Sequence, residues 1–320
     1  MRHVIQGLIM QAVLLLVPGC LIALSAQHVK GIEAPPSQSQ PGDFAVEQLQ
    51  DLIRQKRWDA AAQAFRQLAQ HYGDNPKIDY WEGVVSFQRR NPIGAIVAFR
   101  KAEREGLNTV ELHVSLGLAY YLIHQYFLFQ QQMEKAAQLA PSDDEPFYYL
   151  GRYFESTRDN FTRALEFFNK ALKLKPDNTR ALYHQGYCLQ MLNRKEEAEK
   201  SYERAIALTA KDGERFSWPY QGMAILLLRK DPQRALDFAR KAVELEPGEP
   251  SNHVTLARVD EQLGRPLDAI VELENAAKLD PTNPAPHYIL ARLYRKVDNP
   301  DGAQVQLKIF QELNALYGPQ

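Results

Sequence analysis

The stretch NRKEEAEKSYERAIAL (193–208) decides the fold, because two other segments repeat its design: GRPLDAIVELENAAKL (264–279) and NFTRALEFFNKALKLKP (160–176). Each carries a small residue, a large apolar residue four later and alanine three after that: Ala198-Tyr202-Ala205, Ala269-Leu273-Ala276 and Ala164-Phe168-Ala171. Steps of four and three return to one face of a helix. A glycine or alanine lies twelve or thirteen residues upstream of each first small residue. Eight units laid out with this ruler begin near Gly42, Pro76, Val110, Asp144, Thr179, Arg215, Pro250 and Pro284, 34 to 36 residues apart. A period held over so many units marks a repeat architecture.

The upstream half of each unit has its own stripe, at places four, seven, eight and eleven. In the fourth unit these are Phe147, Leu150, Gly151 and Phe154; in the third, His113, Leu116, Gly117 and Tyr120. The downstream stripes include Ala95, Phe99 and Ala102, and Phe129, Met133 and Ala136. Two amphipathic helices per unit follow. The small residues Gly117, Gly151, Gly186 and Gly222, with Ala257 and Ala291, are expected to let the two helix backbones approach closely. Pro141, Pro176, Pro247 and Pro281 fall just past second helices, where proline ends a helix. The fourth and sixth units carry one extra residue between helices, and an insert near Asp212 to Glu214 separates the fifth from the sixth. A lone helical hairpin cannot bury its apolar face, so the units must stack.

This pattern resembles the tetratricopeptide repeat family. The fifth unit carries Leu182, Gly186, Leu189, Ala198, Tyr202 and Ala205, and the sixth has a tryptophan, Trp218, in its first helix. The resemblance covers about residues 42–317 and implies an all-α fold, a right-handed α-solenoid of tandem helix-turn-helix hairpins over 42–320. It also implies a concave groove lined by places two, five, nine and twelve of the first helices, opposite the packing stripe. The groove candidates are Tyr80, Val84 and Phe87, then Leu118 and Tyr121, Tyr148 and Arg152, and Tyr183, Tyr187 and Met191. Met223, Arg258, Tyr288 and Arg292 follow, with Val114, Phe216 and Arg295 beside them. Tyrosine and arginine supply much of the energy at interfaces, and methionine adapts to varied partners. The basic C-terminal end of the groove suits an acidic or carboxylate-ended peptide. The carboxylate clamp of chaperone-binding members needs Lys and Asn in adjacent units; the first unit has Val46 and Gln50 there, so chaperone-tail binding is not expected.

Composition is that of a soluble globular chain: 320 residues, 45% hydrophobic and 24% charged, with mean hydropathy −0.41. The 38 Lys and Arg nearly balance the 39 Asp and Glu, so no net field favours nucleic acid or an anionic membrane. The repeats leave no block for a catalytic domain. No phosphate-cradling glycine loop, nucleophile elbow, CxxC or helical His pair is present, so no enzyme activity, metal or cofactor is expected. His113, His253 and His287 all fall at place four and read as helix-packing residues. Cys188 reads as a buried small hydrophobe. The partner expected is a protein or peptide.

The N-terminus is separate from this pattern. VLLLVPGCLIALSAQ (13–27) follows Met1-Arg2-His3 and reads as a signal peptide or membrane anchor over residues 1–26. Three readings compete: a cut after Ser25, lipid attachment at Cys20, and a retained anchor over Val4 to Leu24 that tethers the chain to a membrane. Pro18 and the apolar residues after Cys20 depart from the lipoprotein pattern, and a cut near Ser25 fits best. All three export the remainder of the chain to the periplasm or the extracellular space. Residues 27–41, rich in Pro, Ser and Gln, read as a flexible linker.

Overall fold

In the computed structural model, residues 51–72, 75–156, 160–213 and 215–317 are described; the leader, lipid-site and linker expectations lie outside them. After a helical segment at 51–54 come α1 (Trp58–Tyr72), α2 (Pro76–Gln88), α3 (Pro92–Arg104), α4 (Val110–Leu122), α5 (Tyr126–Leu139) and α6 (Glu145–Ser156). Then follow α7 (Phe161–Leu174), α8 (Thr179–Met191), α9 (Lys195–Asp212), α10 (Trp218–Leu227) and α11 (Pro232–Leu245). The last four are α12 (Pro250–Gln262), α13 (Pro266–Leu279), α14 (Pro284–Lys296) and α15 (Pro300–Tyr317). Among the described residues there is no strand. They fall into two compact bodies, one ending at Leu150 and one beginning at Gly151. Each is an α-solenoid of paired helices: α2 with α3 and α4 with α5 in the first, α8 with α9, α10 with α11, α12 with α13 and α14 with α15 in the second.

Local chemistry explains where the helices start and turn. Asn75 accepts from the Lys77 and Ile78 amides, Asn91 from Gly94, Asn178 from Ala181 and Asp231 from Arg234, each satisfying amides that an N-terminus leaves open. Proline occupies the first helical position of α2, α3, α11, α12, α13 and α14, where its missing N–H costs nothing. The turn inside a hairpin uses one left-handed residue at the same repeat place: Lys56, Arg90, His124, Asn193, Gly264 and Asp298, with φ between 56° and 74°. Only one of the six is glycine, so backbone strain is accepted at the others. The first helix of the sixth repeat begins at Trp218 rather than near Arg215, and that of the fourth at Glu145.

The glycines of the first helices make room for a side chain as well as for the facing backbone, whose Phe129 carbonyl oxygen lies 3.5 Å from a methyl placed at Gly117. A methyl group added at Gly117 would lie 2.6 Å from Met133 Cε, one at Gly151 2.6 Å from the Phe168 ring, and one at Gly186 2.7 Å from the Tyr202 ring. Gly83 meets the Phe99 ring in the same way. Each glycine is therefore a seat for the one bulky side chain that the second helix sends inward. Where the seat is alanine, as at Ala257, the bulky place holds the smaller Leu273, and both are buried in one cluster. The sixth repeat carries Ala239 at its bulky place, and Gly222 receives Tyr202 of the preceding repeat, 2.7 Å from where a methyl would stand. Tyr202 is thus held between two glycines, is fully buried, and donates its hydroxyl to Gln190 Oε1 at 2.9 Å.

Gly186→Ala should destabilise the protein by about 1–3 kcal/mol through overpacking. Gly248→Ala, where an added methyl meets nothing within 4 Å, should shift stability by no more than ~0.5 kcal/mol. Urea unfolding midpoints of the two variants and the parent check this.

Candidate functional site

First helices touch first helices: α2 meets α4, α8 meets α10 and α10 meets α12. A position that faces away from its own hairpin partner can therefore face the next repeat instead of solvent. This divides the sequence-derived groove set. Val84, Phe87, Tyr148 and Met223 are buried, so they belong to the packing and present no surface to a partner. Tyr80, Leu118, Tyr121, Arg152, Tyr183 and Tyr187 are half-buried, whereas Met191, Arg258, Tyr288 and Arg292 are exposed.

The half-buried members are engaged within the chain. Tyr80 packs on Phe99 at 5.7 Å between ring centroids, and burial pushes its phenol far up. Tyr121 sits edge-on to Tyr126 and Phe129. Tyr187 stands 6.0 Å from Phe161, and Tyr183 joins Phe216, Trp218 and Tyr202 in one aromatic cluster. Arg152 Nε lies 3.1 Å from Glu155 Oε2, and the same carboxylate reaches His184 Nδ1 at 2.9 Å. Burial and then Arg152 push the imidazole down to about 4, so it is neutral at pH 7, while His184 and Arg152 hold the Glu155 carboxyl below its usual range. Arg152 is neutralised internally. The neighbouring Cys188 is fully buried, and burial pushes its thiol far up, so it is inert.

The three place-four histidines do more than pack. His113 Nδ1 meets Gln132 Oε1 at 2.7 Å, His253 Nδ1 meets Glu272 Oε2 at 2.6 Å and His287 Nδ1 meets Gln306 Oε1 at 2.6 Å. Every partner lies 19 residues later, on the second helix of the same hairpin. The Gln or Glu at that offset was a readable signal for this polar clasp. Among the described residues no group of three His, Cys, Asp or Glu is placed to hold a metal ion.

Besides Met191 on α8, what remains open is a strip on α12 and α14. Arg258 and Arg292 occupy the same place in successive repeats, and Tyr288, Arg292 and Arg295 line one face of α14 at steps of four and three. Tyr288 is 55% exposed and backed by Phe310 at 5.3 Å. Arg292 donates to Glu261 at 2.6 Å, and Arg258 and Arg295 are exposed. The strip offers a supported aromatic face beside guanidinium groups, which bind carboxylates in a planar, two-point manner. In the first body the corresponding helices carry carboxyl groups instead, among them Glu82, Glu111 and Glu145. Burial, then Asp143, Asp144 and Glu111, push the Glu145 carboxyl up to about 8.

Family comparison agrees with the geometry. The chain matches the family model described as tetratricopeptide repeat over residues 46–108 and again over 157–217. It is 23% identical over 263 residues to Superkiller complex protein 3 of Mus musculus, covering 68% of this chain and 16% of that protein. Tetratricopeptide repeat protein 37 of Xenopus laevis is 28% identical over 165 residues, 49% of this chain and 10% of that one. The chain thus spans about a sixth or less of the length of these relatives. Among solved structures it is similar to yeast Tom70, with TM-score 0.59 and 18% identity, covering 95% of this chain and 68% of that chain. A tetratricopeptide repeat protein from Parabacteroides merdae ATCC 43184 superimposes with TM-score 0.60 and 14% identity, covering 84% and 100%. At these identities the likeness is one of fold.

A raised folded-state pKa means that Glu145 favours the fold while protonated. Its contribution is full below the ordinary carboxylate range and is lost as pH rises through about 8. Glu145→Gln should therefore raise the melting temperature relative to the parent at pH 9, with the gain shrinking toward zero near pH 5. Differential scanning fluorimetry across that range reads the difference.

Proposed function

We propose that this chain, which belongs to the tetratricopeptide repeat family, is a non-enzymatic scaffold that binds a peptide or protein segment along the exposed face of its first helices. The Arg258, Tyr288, Arg292 and Arg295 strip carries this reading. With Met191 it is the part of the sequence-derived groove whose side chains stay accessible, and its charge selects a partner with a carboxylate. Tyr288 supplies a flat apolar contact, and the arginines fix direction by pairing with acidic side chains or a chain terminus. Arg152 drops out of the orienting role because Glu155 already neutralises it.

Affinity for acidic peptides selected on the intact protein should fall at least about tenfold in Arg258→Ala with Arg295→Ala, a loss of ~1.4 kcal/mol or more. It should also weaken as salt rises. Fluorescence anisotropy titrations measure both. Unchanged affinity in the double variant and in Tyr288→Ala would remove the strip as the binding surface.

We further propose that the scaffold works outside the cytoplasm. The apolar run at 13–27 and the Pro/Ser/Gln-rich stretch after it support export, with cleavage after Ser25 favoured over lipidation at Cys20 or a retained anchor. Among the described residues no helix is long and apolar enough to cross a membrane. The intact mass of the mature protein distinguishes the three: a cut chain starts at Ala26, a lipidated one at a modified Cys20, and an anchored one keeps Val4 to Leu24. A second reading, a structural subunit of an envelope assembly that engages through its second helices, draws on the apolar residues those helices expose.

A further inference from the structure

Second helices of stacked hairpins turn one face to solvent. Two places on that face lie two residues before and two residues after the first buried small or aromatic residue of the helix. In four of the eight described second helices both are polar and exposed: Asp59 and Gln63, Thr162 and Glu166, Glu196 and Lys200, Gln233 and Asp237. On α3 the same places hold Ile93 and Val97, 66% and 63% exposed, and on α5 the first holds Phe127, 73% exposed. The polar repeats show what solvation alone asks for here, so these three apolar side chains are a departure that packing does not explain.

Charge says what covers them. Ile93, Val97, Arg100 and Arg104 lie within about 60° of one another around α3, a single stripe that is apolar in its first half and cationic in its second. Both arginines are exposed. Arg89 and Arg90, also exposed, sit in the turn leading into the helix. Two of these arginines make pairs on the surface, Arg89 with Asp59 at 3.2 Å and Arg100 with Glu103 at 3.7 Å. Such exposed pairs are weak and exchange readily for a phosphate. α5 lies beside α3, joined by Lys135 to Glu103 at 2.8 Å. Leu267, Val271 and Val305 are exposed at the same places in the second body, but the stripes there carry one charge of each sign, Glu274 and Lys278 on α13 and Lys308 and Glu312 on α15, where α3 carries two arginines. The apolar-plus-cationic combination therefore belongs to α3, and Phe127 of α5 adds a neighbouring apolar side chain, although the α5 stripe itself continues into Glu134.

We infer that this face of α3 and α5 rests on an anionic lipid surface. Ile93, Val97 and Phe127 enter the boundary between headgroups and acyl chains, and Arg89, Arg90, Arg100 and Arg104 meet lipid phosphates. The inference is independent of the peptide strip, which lies on first helices of the other body.

Because the apolar N-terminal run of the full chain can reach a membrane by itself, the test must read the patch locally. A polarity-sensitive fluorophore is attached at Gln131→Cys, the exposed α5 place beside Phe127, in a Cys20→Ser chain; the buried Cys188 is left unmodified. A control carries the probe at Glu166→Cys, the equivalent place on α7. Vesicles of phosphatidylcholine with phosphatidylserine should blue-shift the probe at 131 and leave that at 166 in water, and phosphatidylcholine alone should do so at least tenfold less effectively. Ile93→Ser with Val97→Ser and Phe127→Ser should abolish the shift, and Arg100→Glu with Arg104→Glu should do the same with far-UV circular dichroism unchanged. Equal responses at 131 and 166, no response at 131, or a shift that survives both sets of substitutions would overturn the inference. A shift that appears without vesicles as protein concentration rises would assign the face to a second copy of the chain instead, and one present without vesicles at every concentration to the chain's own N-terminal run.

Discussion

The structure depends on one large side chain seated against the backbone of a residue without a side chain. In hairpin after hairpin, the second helix sends a bulky residue onto a glycine of the first: Phe99 onto Gly83, Met133 onto Gly117, Phe168 onto Gly151 and Tyr202 onto Gly186. Burying such a side chain contributes on the order of 1.5–3 kcal/mol, and the absent Cβ lets it reach the helix axis without strain. Alanine at the seat goes with leucine at the bulky place, as with Ala257 and Leu273. Tyr202 extends the device across a repeat boundary, because Gly222 receives its other face. Glycine inside a helix costs roughly 0.5–1 kcal/mol relative to alanine, and the interdigitated ring offsets that cost.

Polar contacts then fix what apolar packing leaves loose. The clasp between His113, His253 or His287 and a Gln or Glu of the same hairpin sets the register of the two helices. The Arg152, Glu155 and His184 group does similar work at α6 and α8, with each charge answered by another so that burial is tolerable. These interactions take side chains that could have met a partner and direct them inward. The surface left for recognition is smaller than the repeat pattern suggests, and in the second body it lies near the C-terminal end, where Tyr288 and the arginines of α12 and α14 remain open.

The helical hairpins were legible because a repeat writes its core many times, and Ala198-Tyr202-Ala205 is readable in any one copy. The role of the glycines was half legible: their place was evident, but not the bulky side chain sixteen or seventeen residues on that fills the space, a ring at Phe99, Phe168 and Tyr202 and a thioether at Met133. Side-chain exposure was the least legible property. Val84, Phe87, Tyr148 and Met223 share helix places with residues that are open in other repeats; α2 meets α4, and α10 meets both α8 and α12, which no single repeat encodes and which accounts for Val84, Phe87 and Met223. Arg152 reads as a free cation until Glu155 and His184 are brought to it. Ile93, Val97 and Phe127 show the opposite case, since a purely periodic reading attends to the buried stripe and overlooks apolar residues on the wet one. The left-handed turn residues were written in the chain as His124, Asn193, Gly264 and Asp298, but Lys56 and Arg90 hide the same turn under residue types that rarely adopt it.

A seated ring joins neighbouring repeats into one cooperative unit, with Tyr202 as the joint between the hairpin of α8 and α9 and that of α10 and α11. Native-state hydrogen exchange on the parent and on Tyr202→Ala tests it most directly. In the parent, the slowest amides of α8, α9 and α10 should open together with one free energy, as nearest-neighbour coupling in a repeat array requires. In Tyr202→Ala, protection should fall in α10 as well as in α8 and α9, and the two hairpins should open with separate free energies. If α10 keeps its full protection while α8 and α9 lose theirs, the ring fills only its own hairpin, and the account of how the repeats are joined is wrong.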